Sequence, residues 1–266
     1  MVEMFGPAPG EGPARRYGPA RRVAVLSDVH ANTPALEAVL AEARADEHDL
    51  VVFCGDLTWG PEPARTVELV RALGDRAVFL RGNAERAVRQ MAAGVRAPET
   101  PRDRWMLAQH PDDLVAFLVT FAFSAVVDID GMGPVRFCHG SPRSDNEVVT
   151  PATREDRFTA LMSSVDEDVL VTGHTHMQFD RLVAGRRSIN PGSVGLPFHT
   201  GAPGTAYWAT LGPDVTLRRT TYPVADSLAR LNAAGDPSAE TIAEMLTHPY
   251  LPDEITPKIE GLVFSD

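Results

Sequence analysis

Residues 22–44 read RVAVLSDVHANTPALEAVLAEAR. Arg22–Ser27 is a short, continuous apolar run, the pattern of a strand buried on both faces. Pro34–Arg44 carries Leu36, Val39, Leu40 and Ala43 on one face and Pro34 in its first turn, which predicts a helix. Asp28, His30 and Asn32 lie between the two. The rhythm repeats. Leu50–Cys54 predicts a strand, Pro63–Leu73 a helix, Arg76–Leu80 a strand and Ala84–Met91 a short helix. Strands alternating with helices imply βαβ units, a parallel sheet and an α/β fold.

Downstream the pattern loosens. Pro98–His110 reads as a surface excursion with a helical turn, and Asp112–Phe121 as a helix. Ser124–Asp130 and Val135–Cys138 predict two strands, Thr153–Ser163 a helix capped by Thr153, and Asp168–Thr172 another buried strand. Gln178–Val183 with Arg187–Ile189, and Thr205–Leu211 with Val215–Thr221, read as hairpins. Helices near Ala225–Ala233 and Ala239–Leu246 precede a polar tail. Two packed sheets with helices outside fit this order. Residues 1–20, rich in Gly, Pro and Arg without periodicity, are expected to be a flexible tail. Residues 21–222 are expected to form one domain, with 223–266 a helical extension packed on it.

The chain has 266 residues, 25 basic against 36 acidic, for a net charge of −11. That balance excludes a nonspecific nucleic-acid binder, which needs a basic surface. Its 44% apolar content excludes a disordered or fibrous chain. Two cysteines, Cys54 and Cys138, make no disulfide framework and suit a reducing cytoplasm. No run approaches the ~20 apolar residues of a membrane span, and residues 1–22 lack a secretory apolar core. A cytoplasmic protein without a membrane partner is expected, with self-association into a homo-oligomer left open.

Five predicted strands end in oxygen or imidazole donors: Asp28 and His30, Asp56, Asn83, His139, and His174 with His176. Each has a bland reading. Asp28 or Asn83 could cap a helix, Gly55-Asp56 could be a turn, His139 a core histidine, and His174 and His176 a polar loop pair. Asp46-Glu47-His48 has the Asp-x-His spacing too, but lies at a helix end among charges. The coincidence of five strand ends outweighs these readings, because ligands bind outside the carboxyl ends of α/β strands. Two carboxylates, an amide oxygen and four imidazoles suit Mn²⁺, Fe²⁺, Co²⁺, Ni²⁺ or Zn²⁺. Seven side chains are too many for one ion; two ions sharing a carboxylate would use them all and would clamp a phosphoryl displacement.

Ser27-Asp28-Val29-His30, Gly55-Asp56, Gly82-Asn83, His139-Gly140 and Gly173-His174-Thr175-His176, in this order, resemble the calcineurin-like metallophosphoesterase superfamily over roughly residues 22–211. Asn190-Pro191-Gly192-Ser193-Val194-Gly195 resembles its small bacterial phosphodiesterase-type branch. The resemblance implies two mixed β-sheets face to face, flanked by helices. It implies one metal on Asp28, His30, Asp56 and His176 and a second on Asp56, Asn83, His139 and His174. Asp56 and His139 are the expected catalytic residues, and a hydroxide bridging the ions the expected nucleophile. Mn is the expected metal, with Fe, Ni, Co or Zn as alternatives. The expected partner is a small phosphorylated, nucleotide-like substrate.

The sequence departs from the superfamily in two places. Many members follow Gly-Asn with a proton-donating His where this chain has Ala84, and protein phosphatases place an Asp where it has Trp59. Substrates whose leaving group needs little protonation are therefore expected. Arg143 and Asn32 are candidate substrate contacts, against a salt bridge and a helix cap. His199 is a candidate for the missing acid. Rival functions are a dinucleoside polyphosphate hydrolase, a phosphomonoesterase, and a non-catalytic metal-binding scaffold of the same fold.

Overall fold

The computed structural model describes residues 2–8, 11–262 and 264–265. Its strands are β1 (Val2–Glu3), β2 (Arg15–Ala20), β3 (Val23–Leu26), β4 (Leu50–Phe53), β5 (Ala77–Phe79), β6 (Ser124–Ile129) and β7 (Gly133–Cys138). The later ones are β8 (Val169–Val171), β9 (Gln178–Val183), β10 (Arg186–Pro191), β11 (Thr205–Leu211), β12 (Val215–Thr221) and β13 (Phe264–Ser265). Its helices are α1 (Thr33–Ala45), α2 (Pro63–Arg71), α3 (Asn83–Ala92), α4 (Pro101–Ala108) and α5 (Asp112–Val119). They continue with α6 (Glu155–Leu161), α7 (Val224–Ala234), α8 (Ala239–Thr247) and α9 (Pro252–Glu260).

Two mixed sheets lie face to face. One has the order β12-β11-β3-β4-β5 and the other β2-β6-β7-β8-β10-β9. In the first, β3, β4 and β5 run parallel and β11 and β12 antiparallel. Strand alternation divides the apolar side chains. Val23 and Val25 face the second sheet, where they meet Val127, Val135, Phe137 and Ile189. Ala24 and Leu26 face the other way, toward Leu36, Val39 and Leu40 of α1, with Trp208 and Phe121. The outer face of the second sheet packs Leu170 and Phe179 on Phe158 and Leu161 of α6. The continuous apolar runs of the sequence thus become strands covered on both faces. Parallel β3, β4 and β5 end at one edge, and so do parallel β7 and β8. That shared edge gathers the loops described below.

Several segments differ from the sequence reading. Residues 1, 9 and 10 of the expected tail lie outside the described residues. Arg15–Ala20, however, is a strand paired with the edge of β6. Its side chains are mostly exposed apart from Ala20, so it carries no apolar period; backbone pairing holds it. Residues 98–110 contain a full helix, α4, started by a capping box in which Thr100 Oγ1 accepts from Asp103 N and Asp103 Oδ2 from Thr100 N. Thr153 does not cap α6, which begins after Arg154. Thr153 Oγ1 instead accepts from Thr150 N and donates to Glu260. Glu260 also takes Arg157 at 3.1 Å, so α9 is fastened down where a polar tail was expected. Ser227 of α7 donates to Asn32 at 2.7 Å. Cys54 and Cys138 are buried thiols. Among the described residues no helix is long and apolar enough to cross a membrane.

Candidate metal centre

The loop after β3 carries Asp28 and His30, the loop after β4 Asp56, the start of α3 Asn83, the end of β7 His139, and the loop after β8 His174 and His176. Backbone bonds lace these loops together: Asp28 N to Gly55 O, His30 N to Asp56 O, and Gly173 N to His139 O, at 2.8–3.0 Å. Asn190 donates to Gly173 O and Thr175 Oγ1, and Ser193 Oγ to Asp28 O. The Asn190–Gly195 run is therefore the brace behind the site. Packing is tight enough that a β-carbon on Gly82 would meet the Asp56 carboxylate, and one on Gly173 would meet Ser27 and Asp28.

All seven candidates converge. Asp28 Oδ1 lies 3.2 Å from His176 Nε2 and 4.0 Å from His30 Nε2. Asp56 Oδ2 lies 3.9 Å from His30 Nε2, and its Oδ1 lies 3.5 Å from His139 Nε2. Asn83 Oδ1 lies 3.0 Å from His139 Nε2. The His139 and His174 rings are 4.9 Å apart. Asp28, His30 and His176 form one compact donor group and Asp28, Asp56 and His139 another.

The donor set fits cations. His30 Nδ1 faces Trp59 O, His139 Nδ1 faces Cys54 O, and His176 Nδ1 faces Leu196 O. His174 bonds the backbone of Asn146. Carbonyls only accept, so each of these Nδ1 atoms donates a proton, which leaves Nε2 of His30, His139 and His176 to face the centre. His30 Nε2 and His176 Nε2 stand 3.2 Å apart. Asp28 Oδ2 accepts from Ser27 Oγ and His174 N, whereas the buried Oδ1 accepts no hydrogen bond. These imidazole nitrogens thus gather round an orphaned buried carboxylate oxygen, a donor set that divalent ions match.

Electrostatics agree. Burial favours neutral Asp28, but His176, His139 and His30 outweigh it and hold the carboxyl below its usual range. Burial lowers His30 and His174 to about 3, keeping them neutral ligands. Burial is outweighed by Asp56 and Asp28 at His139 and by Asp28 at His176, both of which rise. Burial raises Asp56. The backbone is strained as well. Among the described residues eight non-glycines have positive φ, and five are Asp28, His30, Asp56, His174 and His176, at +49° to +66°.

The weaker candidates separate from the centre. Asn32 caps α1 through Ala35 N, and its amide reaches Gly195 O and Tyr222 Oη. The cap is the role that occupies it. Arg143 lies in a two-point pair with Glu147 at 2.8–2.9 Å, the salt-bridge alternative. His199 is buried against Tyr207 and accepts from Gly201 N. Its neighbour Phe198 is the one whose ring lies tilted against His176, 5.0 Å between centroids. Asn83 is the first residue of α3, not its cap, which is Gly82. His48 of the Asp-x-His look-alike bonds Ala43 O and Thr210 Oγ1.

Sequence reasoning missed Glu85. Its fully buried carboxylate accepts from Asp56 N, Leu57 N and Gly82 N at 2.8–2.9 Å. Burial and then Asp56 push it up to about 7. The available signal was the capping pattern Gly82-x-x-Glu85. Over His30, Asp56 and Asn83 opens a cleft of about 890 Å³, walled by Phe5, Trp59, Arg86, Gln90, Arg96 and Arg102.

The sequence of residues 22–211 matches the model of the calcineurin-like phosphoesterase superfamily domain. The fold superposes on a metallophosphoesterase from Sphaerobacter thermophilus with TM-score 0.66 and 30% identity, covering 85% of this chain and 98% of that one. A hypothetical protein from Pyrococcus horikoshii OT3 gives TM-score 0.70 at 19% identity, covering 86% and 99%. A candidate diadenosine tetraphosphatase gives 0.57 at 16%, covering 81% and 99%. No curated protein matches the chain. With its family model spanning residues 22–211 and so every loop of the donor cluster, the chain belongs to the calcineurin-like phosphoesterase superfamily.

Proposed function

We propose that the protein is a dimetal-dependent phosphoesterase hydrolysing a phosphodiester or nucleotide-type substrate. The observation that carries this reading is the 3.2 Å approach of His30 Nε2 to His176 Nε2 beside the orphaned Asp28 Oδ1. Asp28, His30, Asp56 and His176 would hold one ion, and Asp56, Asn83, His139 and His174 the other, Mn²⁺ being our choice. Bound there, the ions would supply an activated water and positive charge against the phosphoryl oxygens.

The chain's own residues shape the rest. Asp56 would serve both ions, and Ala84 N donates to its Oδ1 at 2.9 Å, fixing its rotamer. His139, locked by Cys54 O, aims Nε2 at the reacting face. Ala84 lines the cleft where a proton donor would stand, and among the described residues His30 is the cleft's only histidine. General acid catalysis is worth ~10²–10⁴ in rate, so leaving groups that depart as stable anions are favoured. This same preference speaks for anhydrides and activated diesters over alkyl monoesters.

The test is hydrolysis of a chromogenic aryl phosphodiester by Mn²⁺-reconstituted protein, with Asp56→Asn as the blank. A Mn²⁺-dependent rate lost in the blank is expected. No rate above the blank on either this diester or adenosine diphosphate, with two ions bound per chain, would overturn the proposal.

A further inference from the structure

From the floor of the centre the cleft runs along one face of α3. Asn83, Arg86, Ala87 and Gln90 all line it, the spacing of a single helical face. Arg86 therefore stands about 4.5 Å along the helix axis beyond Asn83. Its guanidinium is fixed on two sides. Nε bonds both oxygens of Asp145 at 3.0 Å, and the Phe5 ring covers its plane at 3.8 Å.

Charge around Arg86 is incompletely answered. Asp145 is fully buried and also takes Arg81 Nε at 3.2 Å, so one carboxylate serves two guanidiniums. The next carboxylate, Glu11, lies 3.5 Å from Arg81. Among the described residues Nη1 and Nη2 of Arg86 have no partner. The other cleft arginines are spoken for. Arg102 forks onto buried Asp236 at 3.0–3.2 Å, and Arg96 lies 3.6 Å from Asp103. Phe5 falls outside the matched residues 22–211. It is nonetheless held in place, by Phe5 N to Ser144 Oγ at 3.0 Å and Asp145 N to Phe5 O at 2.9 Å. The segment before the sheets is thereby built into the wall of the cleft.

We propose that Arg86, clamped by Asp145 and Phe5, is the subsite for a second phosphate, the one that leaves, and that the substrate is a phosphoanhydride such as a nucleoside diphosphate or a dinucleotide joined through a pyrophosphate. This rests on the phosphoesterase reading above and narrows its substrate class. A hydroxide oxygen bonds to the attacked phosphorus and the anhydride P–O bond breaks. The electron pair stays on the bridging oxygen, which departs as part of a phosphate anion. That anion needs no proton, which suits Ala84, and the free guanidinium nitrogens meet its charge with charge-assisted bonds.

The test compares equilibrium binding of adenosine 5′-(α,β-methylene)diphosphate and adenosine monophosphate to Mn²⁺-loaded protein by calorimetry. The wild type should prefer the diphosphate analogue by about tenfold or more, the worth of hydrogen bonds to a charged group. Arg86→Ala should collapse that ratio, and Arg86→Lys should recover part of it. Asp145 keeps Arg81 in these variants. Phe5→Leu, which keeps apolar bulk but removes the ring, should lower the ratio as well. An equal preference in wild type and Arg86→Ala, or no preference in the wild type, overturns the subsite. Failure of the phosphoesterase reading itself would show separately, as a wild type that hydrolyses neither the aryl diester nor adenosine diphosphate.

Discussion

Glu85 stands directly behind Asp56, its Oε2 accepting the Asp56 backbone N–H at 2.9 Å. The same carboxylate takes Leu57 N, Thr58 N and Gly82 N. It therefore ties the loop after β4 to the start of α3, and positions the Asp56 carboxylate. Glu85→Ala leaves these buried N–H groups unanswered at about 1–3 kcal/mol each. A loss of at least about 3 kcal/mol in urea unfolding is expected, with weaker metal binding. A loss under about 1 kcal/mol would show that the loop holds itself.

Asp28, His30 and His176 form a donor cluster that exists only in the folded chain. Metal should therefore stabilise the fold. At a hundredfold excess over its dissociation constant an ion adds about 2.7 kcal/mol. Thermal unfolding in Mn²⁺ against a chelator should show a rise of several degrees, and His176→Ala should remove most of it. Equal melting temperatures with and without metal would contradict the assignment of these residues.

Arg143, paired with Glu147, bears on acid stability. Burial works to raise Glu147, but Arg143 and Ser141 outweigh it and hold the carboxyl below its usual range. A depressed carboxyl stabilises the fold above its unfolded pKa, about 4.3. That stability is lost as pH falls through the lower folded value. Arg143→Ala should cost about 1–3 kcal/mol at neutral pH, and the gap from wild type should narrow below about pH 4. Urea unfolding across pH 3–7 reads this; a gap independent of pH would exclude it.

The central strands were legible because they are covered on two faces and so read as unbroken apolar runs, as at Val23–Leu26 and Leu50–Phe53. The donors were legible because each follows such a run. What escaped has no apolar signature. Arg15–Ala20 is held by backbone pairing at a sheet edge. Helix α4 starts on a capping box among prolines and charges. Glu85 does its work by accepting N–H groups, which hydrophobic periodicity does not register. Phe5 reaches the cleft only through long-range bonds to Ser144 and Asp145.

The left-handed backbone at Asp28, His30, Asp56, His174 and His176 sets stability against activity. Asp, Asn and His tolerate that conformation better than other side-chain-bearing residues, so donor chemistry and backbone shape select the same short alphabet here. Alanine scanning of this edge would mix two effects, since a β-carbon without a polar arm keeps the torsional penalty of roughly 1–2 kcal/mol. Glycine at these positions removes both donor and torsion. A chain so relaxed would trade its reactive edge for a more robust scaffold.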